Sequence, residues 1–258
     1  MTQTREYLNL AIHAARAAGR IHREHAGRAL NVRSKTSFSD LVTEVDGLAE
    51  AELRTILLGA HPDHAFLGEE GGEVNAGGEH RWVVDPLDGT VNYAHGFPVS
   101  CVSVALEEGG KRVVGVVYDP NRDELFTATL GGGAFLNGAP ISVSATPGLR
   151  APALISTGFP YDPGDDRHWG PLRRLLAVGV PLRRPGAAAL DLCYVACGRT
   201  DGYWEIGLKP WDSAAGSLIV EEAGGSVTDK AGTATPYGEM IVATNAALHG
   251  ELLNVLGG

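Results

Sequence analysis

Cysteine is scarce: the 258 residues hold three, Cys101, Cys193 and Cys197. The odd count and the lack of a CxxC spacing exclude a disulfide framework and a thiolate zinc site. Cys193 and Cys197 lie four apart in a helical stretch and read as small core residues. Long apolar runs are missing too, since none approaches the roughly 18 consecutive residues of a membrane helix. Met1-Thr2-Gln3-Thr4-Arg5-Glu6 lacks the apolar stretch of a signal peptide. The expectation is a cytoplasmic protein with no membrane partner. Basic residues are in deficit, 21 against 31 acidic ones, for a net charge of −10. That argues against the broad basic face used to bind nucleic acid. It leaves room for a phosphorylated ligand, because a divalent cation can invert the field of an acidic site. There is no HExxH, GxSxG or Walker loop, and Gly131-Gly132-Gly133 lacks a following Lys-Ser/Thr and reads as a turn.

What remains is ordinary globular material, 44% hydrophobic and 20% charged, long enough to bury a core without a metal or disulfide staple. Leu10, Ala14, Ala15, Ala18 and Ile21 repeat with a helical period. A second helix is expected after Thr43, a plausible N-cap, with Ala49, Leu53, Ile56 and Leu57 on one face. Short apolar runs at Ala65-Phe66-Leu67 and Trp82-Val83-Val84 each stop at acidic residues. Residues 99–143 read as an antiparallel meander, with turns at Gly109-Gly110, Pro120-Asn121 and Asn137-Gly138. Beyond Pro147 strand and helix alternate. Helices are expected over 168–177, 188–197, 212–223 and 246–256, and strands over 154–156, 203–205, 226–228 and 241–244. The texture divides the chain into an α+β half, 1–146, carrying the acidic motifs, and an α/β half, 147–258.

The most informative stretch is Trp82-Val83-Val84-Asp85-Pro86-Leu87-Asp88-Gly89-Thr90. An apolar strand runs into two carboxylates held by a stiff proline, and a helix is expected to start near Thr90. Hard oxygen ligands on one turn can share divalent cations, and N–H groups at a helix start can hold a phosphate beside them. An ordinary turn accounts for a bare D-x-x-D-G equally well. Three more acidic sites stand apart in the chain. Glu69 and Glu70 follow Gly68 and read alone as a solvated loop. Asp212 opens a helix, where capping explains it as well as metal binding does. Asp46 suits the positive end of its helix.

Taken in order, Gly68-Glu69-Glu70, Asp85-Pro86-Leu87-Asp88-Gly89-Thr90 and Trp211-Asp212-Ser213-Ala214-Ala215-Gly216 resemble the motifs of the inositol monophosphatase family. Lys35 to Asp46 resembles its lysine loop and D-L-V-T-x-x-D segment. The likeness extends through Gly186 to Leu192, Asp201 to Glu205 and Glu222 to Gly225, nearly the whole chain. It implies the layered αβαβα sandwich of the inositol monophosphatase and fructose-1,6-bisphosphatase type, and membership of a magnesium-dependent, lithium-sensitive phosphatase superfamily. It further implies that Glu69, Asp85 and the Leu87 carbonyl hold one Mg2+, and that Asp85, Asp88 and Asp212 hold a second, with Glu69 helping a third through water. Thr90 and Asp46 would orient and deprotonate the attacking water. The Gly89 and Thr90 N–H groups would hold the phosphate, and Asp88, Glu205, Gly186, Ala187 and Ala188 would meet the organic part. One departure is Ala187, where many members carry Ser or Thr. The partners implied are a small phosphate ester and a second copy of the chain, as a homodimer.

The activity expected first is hydrolysis of myo-inositol monophosphate by metal-activated water. Fructose-1,6-bisphosphatase activity, alone or alongside it, is the runner-up, and a 3′-phosphonucleotide phosphatase a weaker third. A non-catalytic metal-bound scaffold is the alternative from another class. Every ligand carboxylate and the Thr90–Asp46 pair are present, which disfavours it.

Overall fold

The stripe of small apolar residues near the start becomes helix α1 (Thr2–His25), with Ala11, Ala14, Ala15 and Ala18 buried. A computed structural model describes residues 2–28, 30–34, 41–160, 162 and 164–257. The lysine loop at Lys35 and the Asp40 that opens the D-L-V-T segment lie outside the described residues. Two short strands, β1 (Arg33–Ser34) and β2 (Leu41–Val42), pair antiparallel. Helix α2 (Glu44–Ala60) follows, and Thr43 is its N-cap, as expected: its hydroxyl accepts from the Val45 N–H at 3.1 Å.

Next come β3 (Ala65–Gly68), β4 (Gly72–Val74), β5 (His80–Asp88), the short helix α3 (Thr90–Ala94) and the meander. The meander comprises β6 (Cys101–Glu108), β7 (Lys111–Asp119), β8 (Glu124–Thr129), β9 (Gly133–Leu136) and β10 (Ala139–Pro140). Together they form an eight-stranded sheet in the order β10-β9-β8-β7-β6-β5-β3-β4, antiparallel except for β3 beside β5. Both faces are buried. Val102, Val104 and Leu106 point to the α1 and α2 side, whereas Cys101 and Ala105 point to the opposite core. Small residues on that second face let a helix approach: a Cβ on Gly115 would stand 2.8 Å from the Ala215 carbonyl oxygen.

The second half contains β11 (Ile155–Thr157), α4 (Trp169–Val178), β12 (Leu182–Arg183), α5 (Ala188–Ala196), β13 (Gly202–Ile206), α6 (Pro210–Glu222), β14 (Ser226–Asp229), β15 (Met240–Thr244) and α7 (His249–Gly257). Its five strands run β12-β11-β13-β15-β14. The sheet is mixed: β11 is parallel to both neighbours, but β15 is antiparallel to β13 and to β14. Helices α5 and α6 lie between the two sheets, and α4 and α7 cover the outer face. The layers are therefore α, β, α, β, α, the architecture the motifs imply. Among the described residues no helix is long and apolar enough to cross a membrane.

One local expectation changes. The apolar run at Trp82 ends at Asp85, but the strand does not: β5 continues through Asp88, and its pairing with β6 slips between Asp85 and Asp88. Pro86 has no N–H to donate, so the ladder must break there. That irregularity turns both aspartates, buried at 2% and 8% exposure, towards one cavity.

Candidate active site

The cavity measures about 80 Å3 and is lined by Leu41, Glu69, Asp85, Leu87, Asp88, Gly89, Thr90, Val91 and Asp212. A larger hollow of about 490 Å3 beside Tyr7, His61 and His80 gathers no comparable set of carboxylates. Convergent polar groups, not volume, mark the site.

The acidic residues arrive from three places in the chain: the loop after β3, strand β5 and helix α6. Glu69 follows β3, and its loop is anchored where the Glu70 N–H donates to Glu50 Oε2 of α2 at 2.8 Å. Asp85 and Asp88 flank the slip in β5. Asp85 Oδ1 accepts from the Leu87 N–H at 2.9 Å. Asp88 reaches across to the second half, accepting from the N–H groups of Ala188 at 3.2 Å and Ala189 at 2.8 Å. It also accepts from the Cys101 thiol at 3.5 Å. Asp212 stands in the first turn of α6 and accepts from the Lys209 N–H at 2.6 Å. It is thus the third helical residue after the cap Lys209, and not itself the N-cap.

Burial first, and mutual repulsion second, raise these carboxyls. Asp85 is pushed well above the usual range by burial and by Glu69, Asp88 and Asp212. Asp212 is raised well above it as well, by burial, with Asp88 and Glu69 adding to the effect. Asp88 rises only to about 6, because the Ala189 and Ala188 N–H groups and the Cys101 thiol favour its charged form. Among the described residues no group of three or more His, Cys, Asp or Glu side chains is already closed around a point that could hold an ion. The donor set nevertheless fits a hard divalent cation. It offers carboxylate oxygens and one main-chain carbonyl around a small cavity, and their repulsion is of the kind a cation relieves.

Thr90 and Asp46 are brought together from separate elements. The Thr90 hydroxyl stands 2.9 Å from Asp46 Oδ1 and 2.9 Å from the Leu87 carbonyl oxygen. Asp46 Oδ2 is engaged separately, accepting from the Thr43 N–H at 2.8 Å and the Thr43 hydroxyl at 2.7 Å. Gly89 precedes α3 with φ of 87°, and a Cβ there would lie 2.7 Å from the Val99 carbonyl oxygen, so only glycine fits. The first N–H groups of the helix that follows have no intrahelical acceptors.

Gly186, Ala187, Ala188 and Glu205, expected to meet the organic part, do not line the cavity itself. Gly186 and Ala187 come within 3.3 Å of a Cβ placed on Gly89, so this loop touches the turn directly. Glu205 hydrogen-bonds the Tyr203 hydroxyl, and burial brings its pKa to about 7.

Several contributors were not singled out from the sequence. Asn92 donates to the Val99 and Pro185 carbonyls, both at 2.9 Å, clamping α3 to the loop before α5. Asn in Thr-Val-Asn-Tyr sits inside the quoted motif, so its position was visible though its task was not. Cys101 and Glu50 gave no signal beyond a lone cysteine and one helical acid. His95, just after α3, is exposed, and its ring bonds the Val91 carbonyl of its own helix. The one that reaches the turn is His22, fully buried on α1, its pKa lowered to about 4 by burial.

The model of the inositol monophosphatase family matches residues 3–256. The chain is 44% identical over 255 residues to the inositol-1-monophosphatase of Synechocystis sp., covering 97% of this chain and 88% of that protein. It is 45% identical over 235 residues to the Nus factor SuhB of Pseudomonas aeruginosa, covering 88% and 86%. Among solved structures, the extragenic suppressor protein suhB of Bartonella henselae superposes with a TM-score of 0.92 at 44% identity, covering 97% of this chain and 98% of that one. The chain belongs to the inositol monophosphatase family, a family of phosphatases.

Proposed function

We propose that the protein is a magnesium-dependent phosphomonoesterase whose first substrate is myo-inositol monophosphate. The observation that carries this is the Thr90–Asp46 hydrogen bond, 2.9 Å long, at the edge of a cavity lined by Glu69, Asp85, Asp88 and Asp212. Glu69, Asp85 and the Leu87 carbonyl would hold one magnesium ion and Asp85, Asp88 and Asp212 a second, with Glu69 helping a third through water. Such cations supply charge neutralisation at the phosphoryl oxygens and lower the pKa of water.

The chain's own groups do the rest. The Thr90 hydroxyl accepts a hydrogen bond from the attacking water and donates its own hydrogen to Asp46 Oδ1. Asp46 keeps that hydroxyl aligned because its other oxygen is fixed by Thr43. The Gly89 and Thr90 N–H groups hold the phosphate at the start of α3. Glu205, Asp88 and the main chain from Gly186 through Ala187 to Ala188 receive hydroxyls of the polyol. Ala187 offers no side-chain hydroxyl there.

Fructose 1,6-bisphosphate is the second reading, and one observation favours it. The positive charge of Arg184 acts on both Asp191 and Glu205 at the substrate side, where a second anionic group could be received. The homodimer and the cytoplasmic setting rest on the family resemblance and the sequence reading alone.

A phosphate-release panel tests the proposal, using inositol monophosphates, fructose 1,6-bisphosphate and 3′-phosphoadenosine nucleotides with and without magnesium. Turnover of an inositol monophosphate that needs magnesium and exceeds the others supports the first reading. A preference for the bisphosphate moves the assignment to the second. No turnover of any ester overturns both.

A further inference from the structure

The Pro86–Leu87 peptide lies at the centre of the slip in β5, between Asp85 and Asp88. Proline fixes its own φ, so the soft motion left in this turn is rotation of the peptide plane that follows Pro86. That plane is gripped at both ends. Its N–H donates to Asp85 Oδ1 at 2.9 Å, and its carbonyl oxygen lies 2.9 Å from His22 Nε2. A carbonyl only accepts, so the ring nitrogen facing it carries the hydrogen. The other ring nitrogen, Nδ1, is buried without a partner among the described residues, which agrees with that tautomer.

His22 is also tied to α3. Its main-chain carbonyl accepts from the Tyr93 hydroxyl at 2.6 Å, and the two rings lie 5.7 Å apart. One residue of α1 therefore braces the turn that carries Asp85 and the helix that begins with Thr90. If the peptide rotates, the Leu87 N–H leaves Asp85 Oδ1 and the carboxylate loses the bond that directs it.

We propose that His22 is a positioning residue for the cation site: by holding the Pro86 carbonyl it fixes the Pro86–Leu87 peptide, and so the direction of the Asp85 carboxylate. This rests on the reading of Asp85 as a magnesium ligand. It concerns a buried side chain that touches neither substrate nor ion. Partners of this kind are generally worth about ten- to hundredfold in metal affinity.

The test compares His22→Leu, which removes the donor, with His22→Gln, whose amide can still donate to the carbonyl. Both disturb packing on α1, so the difference between them reads the hydrogen bond. Magnesium binding is measured by calorimetry, alongside the melting temperature without metal and the KM for inositol monophosphate at saturating magnesium. The expected result is about a ten- to hundredfold weaker magnesium affinity for H22L, substantial recovery in H22Q, and little change in KM. Equal loss in both variants, or loss in neither, overturns the proposal while the native protein still binds magnesium. Absence of magnesium binding by the native protein overturns the metal reading and this inference with it. If neither variant folds, nitrogen NMR of the native imidazole decides: hydrogen on Nε2 with a coupling to the Pro86 carbonyl supports the brace, and hydrogen on Nδ1 removes it.

Discussion

The Thr90 hydroxyl and Asp46 Oδ1 lie 2.9 Å apart although 44 positions separate them in the chain. The other Asp46 oxygen closes the cap of α2 with Thr43. Capping and a part in catalysis are therefore not rival readings of Asp46, because each falls to a different oxygen. Asp46→Asn can keep the capping oxygen while presenting an amide donor to Thr90, whose hydroxyl hydrogen is then left with the Leu87 carbonyl in place of a carboxylate. General-base assistance is typically a factor of about 10²–10⁴, whereas a lost cap costs about 0.5–2 kcal/mol. D46N should lower kcat within that range with little change in KM or Tm. T90A should do the same, and the double variant should be little worse than either, since the pair acts as a unit. Losses that multiply, or a defect only in Tm, would return both residues to structure.

Asp88→Asn tests the acidic cavity. Asp88 accepts from the Ala188 and Ala189 N–H groups, and an asparagine oxygen can keep one of those bonds. The fold should survive and turnover should be lost, because what disappears is a ligand charge. Circular dichroism and a saturating-magnesium assay check this. A folded D88N with near-native activity would sink the assignment.

The raised carboxyls set a pH dependence. The native pKa is about 6 for Asp88 and about 7 for Glu205, against ordinary values of 3.8 and 4.5. Asp85 and Asp212 are also raised well above the ordinary value, by burial first. Across that window the native state holds protons the unfolded chain has already released, so the metal-free protein loses stability as pH rises through it. Below the ordinary carboxylate range the penalty is absent. Magnesium should raise Tm more at about pH 8 than at about pH 5, where protons compete for the same oxygens. Scanning calorimetry with and without magnesium reads both signs, and a larger increment at the lower pH would contradict them.

Ala187 is the N-cap of α5 and has no side-chain acceptor to cap it; the N–H groups of Ala188 and Ala189 are taken by Asp88 instead. Ala187→Ser supplies an acceptor only for the N–H groups that Asp88 leaves free, so it should stabilise the fold by less than the roughly 1 kcal/mol of a full cap. Because Ala187 packs against the Gly89 turn and is proposed to meet the polyol, KM for the polyol phosphate should move while magnesium dependence stays. Thermal melts and steady-state kinetics separate the two effects. A shift in magnesium dependence would place Ala187 nearer the cation site than proposed.

Much of this was legible in local pattern. The helical stripe of α1, the Thr43 cap and the Asn137-Gly138 turn are short-range signals, and each appears where the periodicity put it. The long-range facts were not legible from pattern alone. Nothing local distinguishes Asp46 at a helix start from any acid drawn to the positive end, and only the family's ordered motifs linked it to Thr90. The continuation of the strand through Asp85 to Asp88 is not legible locally, because proline and two acids signal a turn and a slipped strand uses the same residues. His22 and Asn92 left no trace because their partners are main-chain carbonyls, which every residue has.

The most direct measurement is phosphate release from myo-inositol 1-phosphate by the native protein and by D46N, each titrated with magnesium. The expected result is release by the native protein that requires magnesium, and release by D46N about 10²–10⁴ slower at every magnesium concentration with half-saturation unchanged. Release that is independent of magnesium, or unaffected by D46N, would contradict the proposed chemistry.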